Sequence, residues 1–108
     1  MLAPVSPSQI AAWQDGLRVF GKDVDYYESG NLTPRTIRAR VVYLTAAELA
    51  NSIEWYPLRV TVDSRDFVAR APLKGDTVFV DGARRAVMSV AETHLGQALV
   101  AYRLGVQG

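Results

Sequence analysis

Cysteine is absent from this chain of 108 residues. That excludes disulfides, thiolate zinc sites and a cysteine nucleophile. Histidine occurs once, at His94, and a catalytic histidine needs a nucleophile and an orienting partner that no motif here supplies. A nucleophile elbow of the Gly-x-Ser-x-Gly type is missing. So are the Gly-x-Gly-x-x-Gly and Gly-x-x-x-x-Gly-Lys phosphate cradles. A surplus of positive charge is missing too: twelve basic residues face eleven acidic ones, for a net charge of +1. Dedicated nucleic-acid binders carry a clear basic excess. Apolar runs reach only a few residues, so no helix from this sequence spans a bilayer. The opening Met1-Leu2-Ala3-Pro4 lacks the basic and long apolar regions of a signal peptide. The expectation is a non-enzymatic protein with no catalytic residue, cofactor or metal. It stays in the cell that makes it, or is assembled into a particle there.

What is present is a core. Apolar residues make up 49% of the chain, enough at this length for one domain covering residues 1–108. Ser6-Pro7-Ser8-Gln9 reads as a helix start, with Ser6 capping, Pro7 in the first turn and Gln9 closing a capping box. Ile10, Trp13 and Leu17 form one apolar stripe. Gly16 is the expected stop, which gives a helix over about 7–15 and a β-barrel over about 17–105.

A first strand run starts at Leu17 and Val19 and continues past Gly21 through Val24, Tyr26 and Tyr27. Glu28 to Pro34 is loop chemistry. Ile37, Ala39, Val41 and Tyr43 then alternate with Arg38 and Arg40, as a half-buried strand requires. Thr45 and Glu48 form a second possible capping box, and Ala46, Leu49, Ala50 and Ile53 sit at helical spacing. The segment from Thr45 to Trp55 therefore reads as a short helix or helical turn, ended by Pro57.

Beyond Pro57 strand follows strand. Leu58, Val60 and Val62 alternate with polar residues. A turn at Ser64-Arg65-Asp66 leads into Phe67-Val68-Ala69-Arg70. Thr77 to Val80 follows the turn at Pro72 to Asp76. Asp81-Gly82 is the strongest hairpin signal, because a type I′ turn needs positive φ at both positions. Ala86, Met88 and Val90 continue the return strand, His94-Leu95-Gly96 turns, and Ala98, Val100, Tyr102 and Leu104 form a last apolar face. The fold class is mostly β: a small antiparallel barrel or sandwich of six to seven strands, with a short N-terminal helix and a short helical segment in the middle. A barrel is favoured because closure removes exposed edges.

Few side chains suggest a site. Asp23, Asp25 and Glu28 are the densest acidic group, but hard-metal sites gather more oxygen ligands, and a solvated strand end explains them. His94 reads as a surface-turn residue. Lys74-Gly75-Asp76 looks like an adhesion tripeptide, yet it sits between strands where Gly75 supplies turn geometry. Arg35, Arg38 and Arg40 make a basic strip, with Arg84-Arg85 a second. Beside Tyr26, Tyr27, Tyr43 or Trp55 the strip would bind single-stranded nucleic acid by stacking and charge. Otherwise it is a polar outer face, or pairs with a neighbouring subunit. Of the pairs Tyr26-Tyr27 and Trp55-Tyr56, one ring points in and one out. The outward ring is either an interface anchor or an ordinary surface ring. The candidate interface residues are thus Tyr27, Trp55 and Tyr56, the loop residues Glu28 and Asn31, and Arg35, Arg38 and Arg40.

The C-terminal half carries a resemblance. Phe67-Val68-Ala69-Arg70, Leu73-Lys74-Gly75-Asp76-Thr77-Val78, Val80-Asp81-Gly82, then Val87, Val90, Gly96 and an apolar last strand resemble the head–tail joining proteins of tailed bacteriophages. The lambdoid tail-attachment, or head-completion, type has this layout: an N-terminal helix, an irregular middle and a final hairpin set. The resemblance covers roughly residues 58 to 105. It implies a structural virion protein of the neck, resident in the host cytoplasm before assembly. The partners implied are further copies in a homo-oligomeric ring, the portal or adaptor, and tail proteins. No membrane is implied, and contact with packaged DNA is left open. The loops Glu28–Pro34 and Thr45–Trp55 would reach neighbouring rings, the first being mobile until it docks. The alternatives are another tail-tube or tail-terminator component, or a small β-barrel nucleic-acid-binding module.

Overall fold

A computed structural model of the chain describes residues 5–50 and 56–107. Helix α1 spans Pro7–Val19. Its start is the reciprocal capping box: the Gln9 amide donates to Ser6 Oγ at 3.2 Å, and the Ser6 amide donates to Gln9 Oε1 at 2.8 Å. Its end differs from the expected stop. The helix runs through Gly16 for three more residues. A glycine inside a helix costs about 1 kcal/mol relative to alanine. Burial of Leu17 and ion pairs from Arg18 to Asp63 at 2.8 Å and Asp66 at 3.0 Å offset that cost. Leu17 and Val19 therefore belong to the helix and not to the first strand.

Six strands follow among the described residues: β1 (Lys22–Tyr27), β2 (Arg35–Tyr43), β3 (Leu58–Asp63), β4 (Thr77–Val80), β5 (Ala83–Leu95) and β6 (Ala98–Val106). They close into a barrel in the order β1-β2-β3-β6-β5-β4, and β4 returns to pair with β1. Every pairing is antiparallel. Closure settles the choice between barrel and sandwich and leaves no sheet edge open. The short helix α2 spans Ala46–Ala50. The Glu48 amide donates to Thr45 Oγ1 at 3.2 Å, as the second capping signal implies. The rest of that expected segment, including Ile53 and Trp55, lies outside the described residues.

The barrel interior is filled by alternate residues of each strand, among them Val24, Tyr26, Ile37, Ala39, Val60, Val62 and Leu104. A smaller apolar cluster lies under α1, where Leu17 meets Val100 and Ala101. Gln14 is buried there, and its Nε2 donates to the Val100 carbonyl at 3.0 Å and to Ser64 Oγ at 3.1 Å. The Asp81-Gly82 turn joins β4 to β5 with φ of 50° and 82°, the positive pair that a type I′ turn demands.

Three further expectations are corrected. Phe67-Val68-Ala69-Arg70 is not a strand. Ser64–Phe67 forms a 3-10 turn started by Asp63, whose side chain accepts from the Arg65 amide at 2.9 Å, and the chain then bends. Phe67 becomes a stopper. Its ring meets Tyr26 edge-on at 5.0 Å and Tyr102 at 6.0 Å. In β5, Ala86, Met88 and Val90 do not share the core face. A register shift between Val87 and Ser89 makes Met88 the extra residue of a bulge. Val87 is buried before it, and Val90 packs on the core after it. His94 lies within β5, and the turn falls at Gly96-Gln97. No helix among the described residues is long and apolar enough to cross a membrane.

Candidate interaction surface

Two carboxylates are buried among the described residues, Asp76 and Asp63, and both are occupied with holding the fold. Asp76 has no solvent exposure. It accepts from Tyr26 Oη at 2.5 Å, the Leu73 and Ser29 amides at 2.9 Å, and both terminal nitrogens of Arg70 at 2.9 Å. Burial alone would raise its pKa. The Arg70 guanidinium, then the Tyr26 hydroxyl and the amides, overcome this and hold the carboxyl well below the usual range. Burial, together with the adjacent carboxylate, pushes the Tyr26 phenol far above its ordinary value. Charge-assisted bonds of this kind are the strong ones. Asp76 thus ties the Gly75 turn to the loop after β1 and to the bend after Phe67.

The second carboxylate is Asp63, at the end of β3 and also without exposure. Arg65 and Arg18 both reach its Oδ2, at 2.7 Å and 2.8 Å. Burial opposes ionisation here too, but Arg65 and then Arg18 outweigh it and lower the pKa. Arg65 also reaches Asp15 at 3.0 Å. This pair of arginines fastens α1 to the barrel. Neither cluster was legible as such in the sequence. Its members lie up to fifty positions apart, and no local pattern announces them.

The candidate residues fall in different places. Tyr26 turns inward and Tyr27 outward, as expected of a strand pair. The Arg84 guanidinium lies 4.0 Å from the Tyr27 ring centroid, a cation–π contact within the chain. The Tyr56 ring lies over Gly105, where an added Cβ would come within 2.8 Å of it. Trp55 lies outside the described residues. Glu28 pairs with Arg35 at 3.6 Å. Asn31 Oδ1 accepts from the Thr33 amide at 2.9 Å, and the Asn31 amide donates to the Glu28 carbonyl at 2.9 Å. With the Ser29 amide on Asp76, the loop expected to be mobile is tied down at several points.

The basic strip is largely consumed inside the chain. Arg35 donates to the Asp66 carbonyl at 2.6 Å and lies 5.0 Å from the Phe67 ring centroid. Arg38 donates to the carbonyls at the end of α1, Arg18 at 3.1 Å and Gly21 at 2.7 Å, and to Asp23 at 3.2 Å. Arg40 has no hydrogen-bond or ion-pair partner among the described residues. Asp25 accepts from Thr36 Oγ1 at 2.7 Å, so the acidic trio of Asp23, Asp25 and Glu28 is divided among separate partners. No group of three or more potential metal ligands occurs among the described residues. His94 sits 3.6 Å from Glu92 on β5.

Besides Arg40, large apolar side chains stand in solvent among the described residues. Leu32 is 88% exposed in the loop between β1 and β2, and Val68 is 86% exposed in the bend after Phe67. Leu73 is exposed nearby on the Asp76 loop. At the other end of β1, Phe20 is 82% exposed just after α1. It borders an open groove of about 200 Å³ lined by Trp13, Gly16, Leu17, Phe20 and Arg40. Exposed apolar side chains of this size, when grouped, mark contact surfaces. The sequence reading missed Phe20 and Leu32, because each follows an element that ends differently or lies in a segment read as polar. No family model, no curated protein and no solved structure matches this chain.

Proposed function

We propose that this chain is a structural protein of a tailed-phage neck, acting by protein–protein contact in a ring between head and tail. The observation that carries this reading is the division of labour among its side chains. The barrel is closed and its interior filled, while large apolar residues stand outside it on α1 and on the loops at the opposite end of β1. A closed barrel offers no strand edge for pairing. Partners must then be met by loops and helix, and that is where Phe20, Trp13, Leu32 and Val68 sit. The placement of the contacts in a phage neck comes from the resemblance over residues 58 to 105. A rigid body with two different apolar faces suits heterologous, head-to-tail association, which generates rings when the rotation closes.

A nucleic-acid module has less to work with, because Arg35 and Arg38 are spent on carbonyls and carboxylates of the chain itself. The two readings separate in one experiment. The purified chain is mixed with portal–adaptor complexes and, in parallel, with single-stranded and duplex DNA at two salt concentrations. Neck binding seen by electron microscopy, with weak DNA binding, supports the proposal. Tight DNA binding that falls steeply with salt, with no added density on the neck, overturns it.

A further inference from the structure

We infer that the groove beside α1 is the receiving half of a contact between copies of this chain, and that the loop carrying Glu28 and Leu32 of the next copy is the entering half. The inference deepens the ring reading and rests on it for its setting. Two complementary features carry it. The groove joins an apolar wall, made by Trp13, Leu17 and Phe20, to the Arg40 guanidinium, which has no partner among the described residues. The loop offers the matching pair: a carboxylate at Glu28, in a loose 3.6 Å contact with Arg35, within electrostatic reach of Arg70 and still part-exposed, and an isobutyl group at Leu32 that is almost wholly in water. Gly16 opens the groove further, since an added Cβ there would meet nothing within 4 Å. The entering loop is already shaped by its Asn31 turn and its bond to Asp76, so docking orders little that is not ordered beforehand.

The two halves lie at opposite ends of β1, whose six residues span roughly 17–20 Å. One copy therefore cannot fill its own groove, and the contact propagates from copy to copy. Burial of Leu32 against Trp13 and Phe20 supplies attraction, and the Arg40–Glu28 pair supplies register.

The absence of cysteine makes the test direct. Val19→Cys and Thr33→Cys, exposed positions beside the contact that leave Phe20 and Leu32 in place, are introduced together, and the protein is oxidised mildly at high concentration and low salt. The expected product is a ladder of disulfide-linked multimers on a non-reducing gel, since about 7 Å between Cα atoms is the limit for a disulfide and a link within one copy is out of reach. Adding Glu28→Arg should slow linkage roughly tenfold or more by setting like charges together. Adding Arg40→Glu as well should restore it. Absence of a ladder, or a ladder indifferent to these charges, overturns the inference. In that case neck binding by the unmodified chain still judges the ring reading separately.

Discussion

The Tyr26 hydroxyl donates to the Asp76 carboxylate at 2.5 Å, across fifty positions of sequence and with both side chains sealed from water. This bond sits among four other donations to the same carboxylate, so the loss of either partner has a different cost. Tyr26→Phe removes one donor of five and should cost about 1–2 kcal/mol. Asp76→Ala strands the Tyr26 hydroxyl, two amides and Arg70. It should cost about 3 kcal/mol, less than a wholly buried pair would because Arg70 retains some access to solvent. Urea unfolding of both variants measures the order. A smaller loss for Asp76→Ala than for Tyr26→Phe would contradict the assignment of Asp76 as the hub.

Stability should fall at both extremes of pH, for reasons that can be separated. Asp76 and Asp63 titrate below the ordinary value of 3.8 in the folded chain. Their contribution is present above the unfolded value and is lost as pH drops below about 4. Tyr26 titrates above its ordinary value of 10.0 when folded. Its contribution is intact below pH 10 and is lost as pH rises beyond it. Denaturation midpoints measured across the pH range should be flat between these limits. Tyr26→Phe should remove part of the alkaline loss, and Asp76→Asn part of the acid loss. Unchanged slopes in the variants would count against both attributions.

Gly105 should tolerate no side chain. A Cβ there would stand 2.3 Å from Ser89 Oγ and 2.8 Å from the Tyr56 ring. Gly105→Ala should destabilise by about 1–3 kcal/mol through overpacking. The double change Gly105→Ala with Tyr56→Ser should lose less than the sum of the two singles, because the Tyr56 part of the clash goes with the ring while the closer contact with Ser89 remains. Additive losses would place the Tyr56 ring elsewhere.

Much of the barrel was legible because its signals are local. The alternation in β2, the Ser6 and Thr45 caps and the Asp81-Gly82 turn each depend on neighbours within a few positions. The failures share a cause of the opposite kind. Nothing near Gly16 says that the helix continues; Arg18 finding Asp63 and Asp66 does. Phe67 to Arg70 has the residues of a strand, but Asp63 caps a 3-10 turn instead, and Arg70 is drawn to Asp76. The bulge at Met88 inverted the face of β5, a change that one residue of register produces and periodicity alone does not mark. Of the candidate interface, Arg35, Arg38, Tyr27 and Tyr56 are each engaged within the chain by partners distant in sequence, which no local pattern marks. Arg40 keeps its charge available, and Glu28 keeps part of its own.

The central claim is that this protein works through apolar side chains held outside a closed barrel. The most direct measurement adds purified chain to filled heads that lack it, and counts tailed particles by electron microscopy for the unaltered protein and for Phe20→Ser with Leu32→Ser. The account predicts efficient joining by the first and a loss of at least tenfold by the second, with both showing the same unfolding midpoint. Equal joining by the two proteins, or none by the unaltered chain, would contradict it.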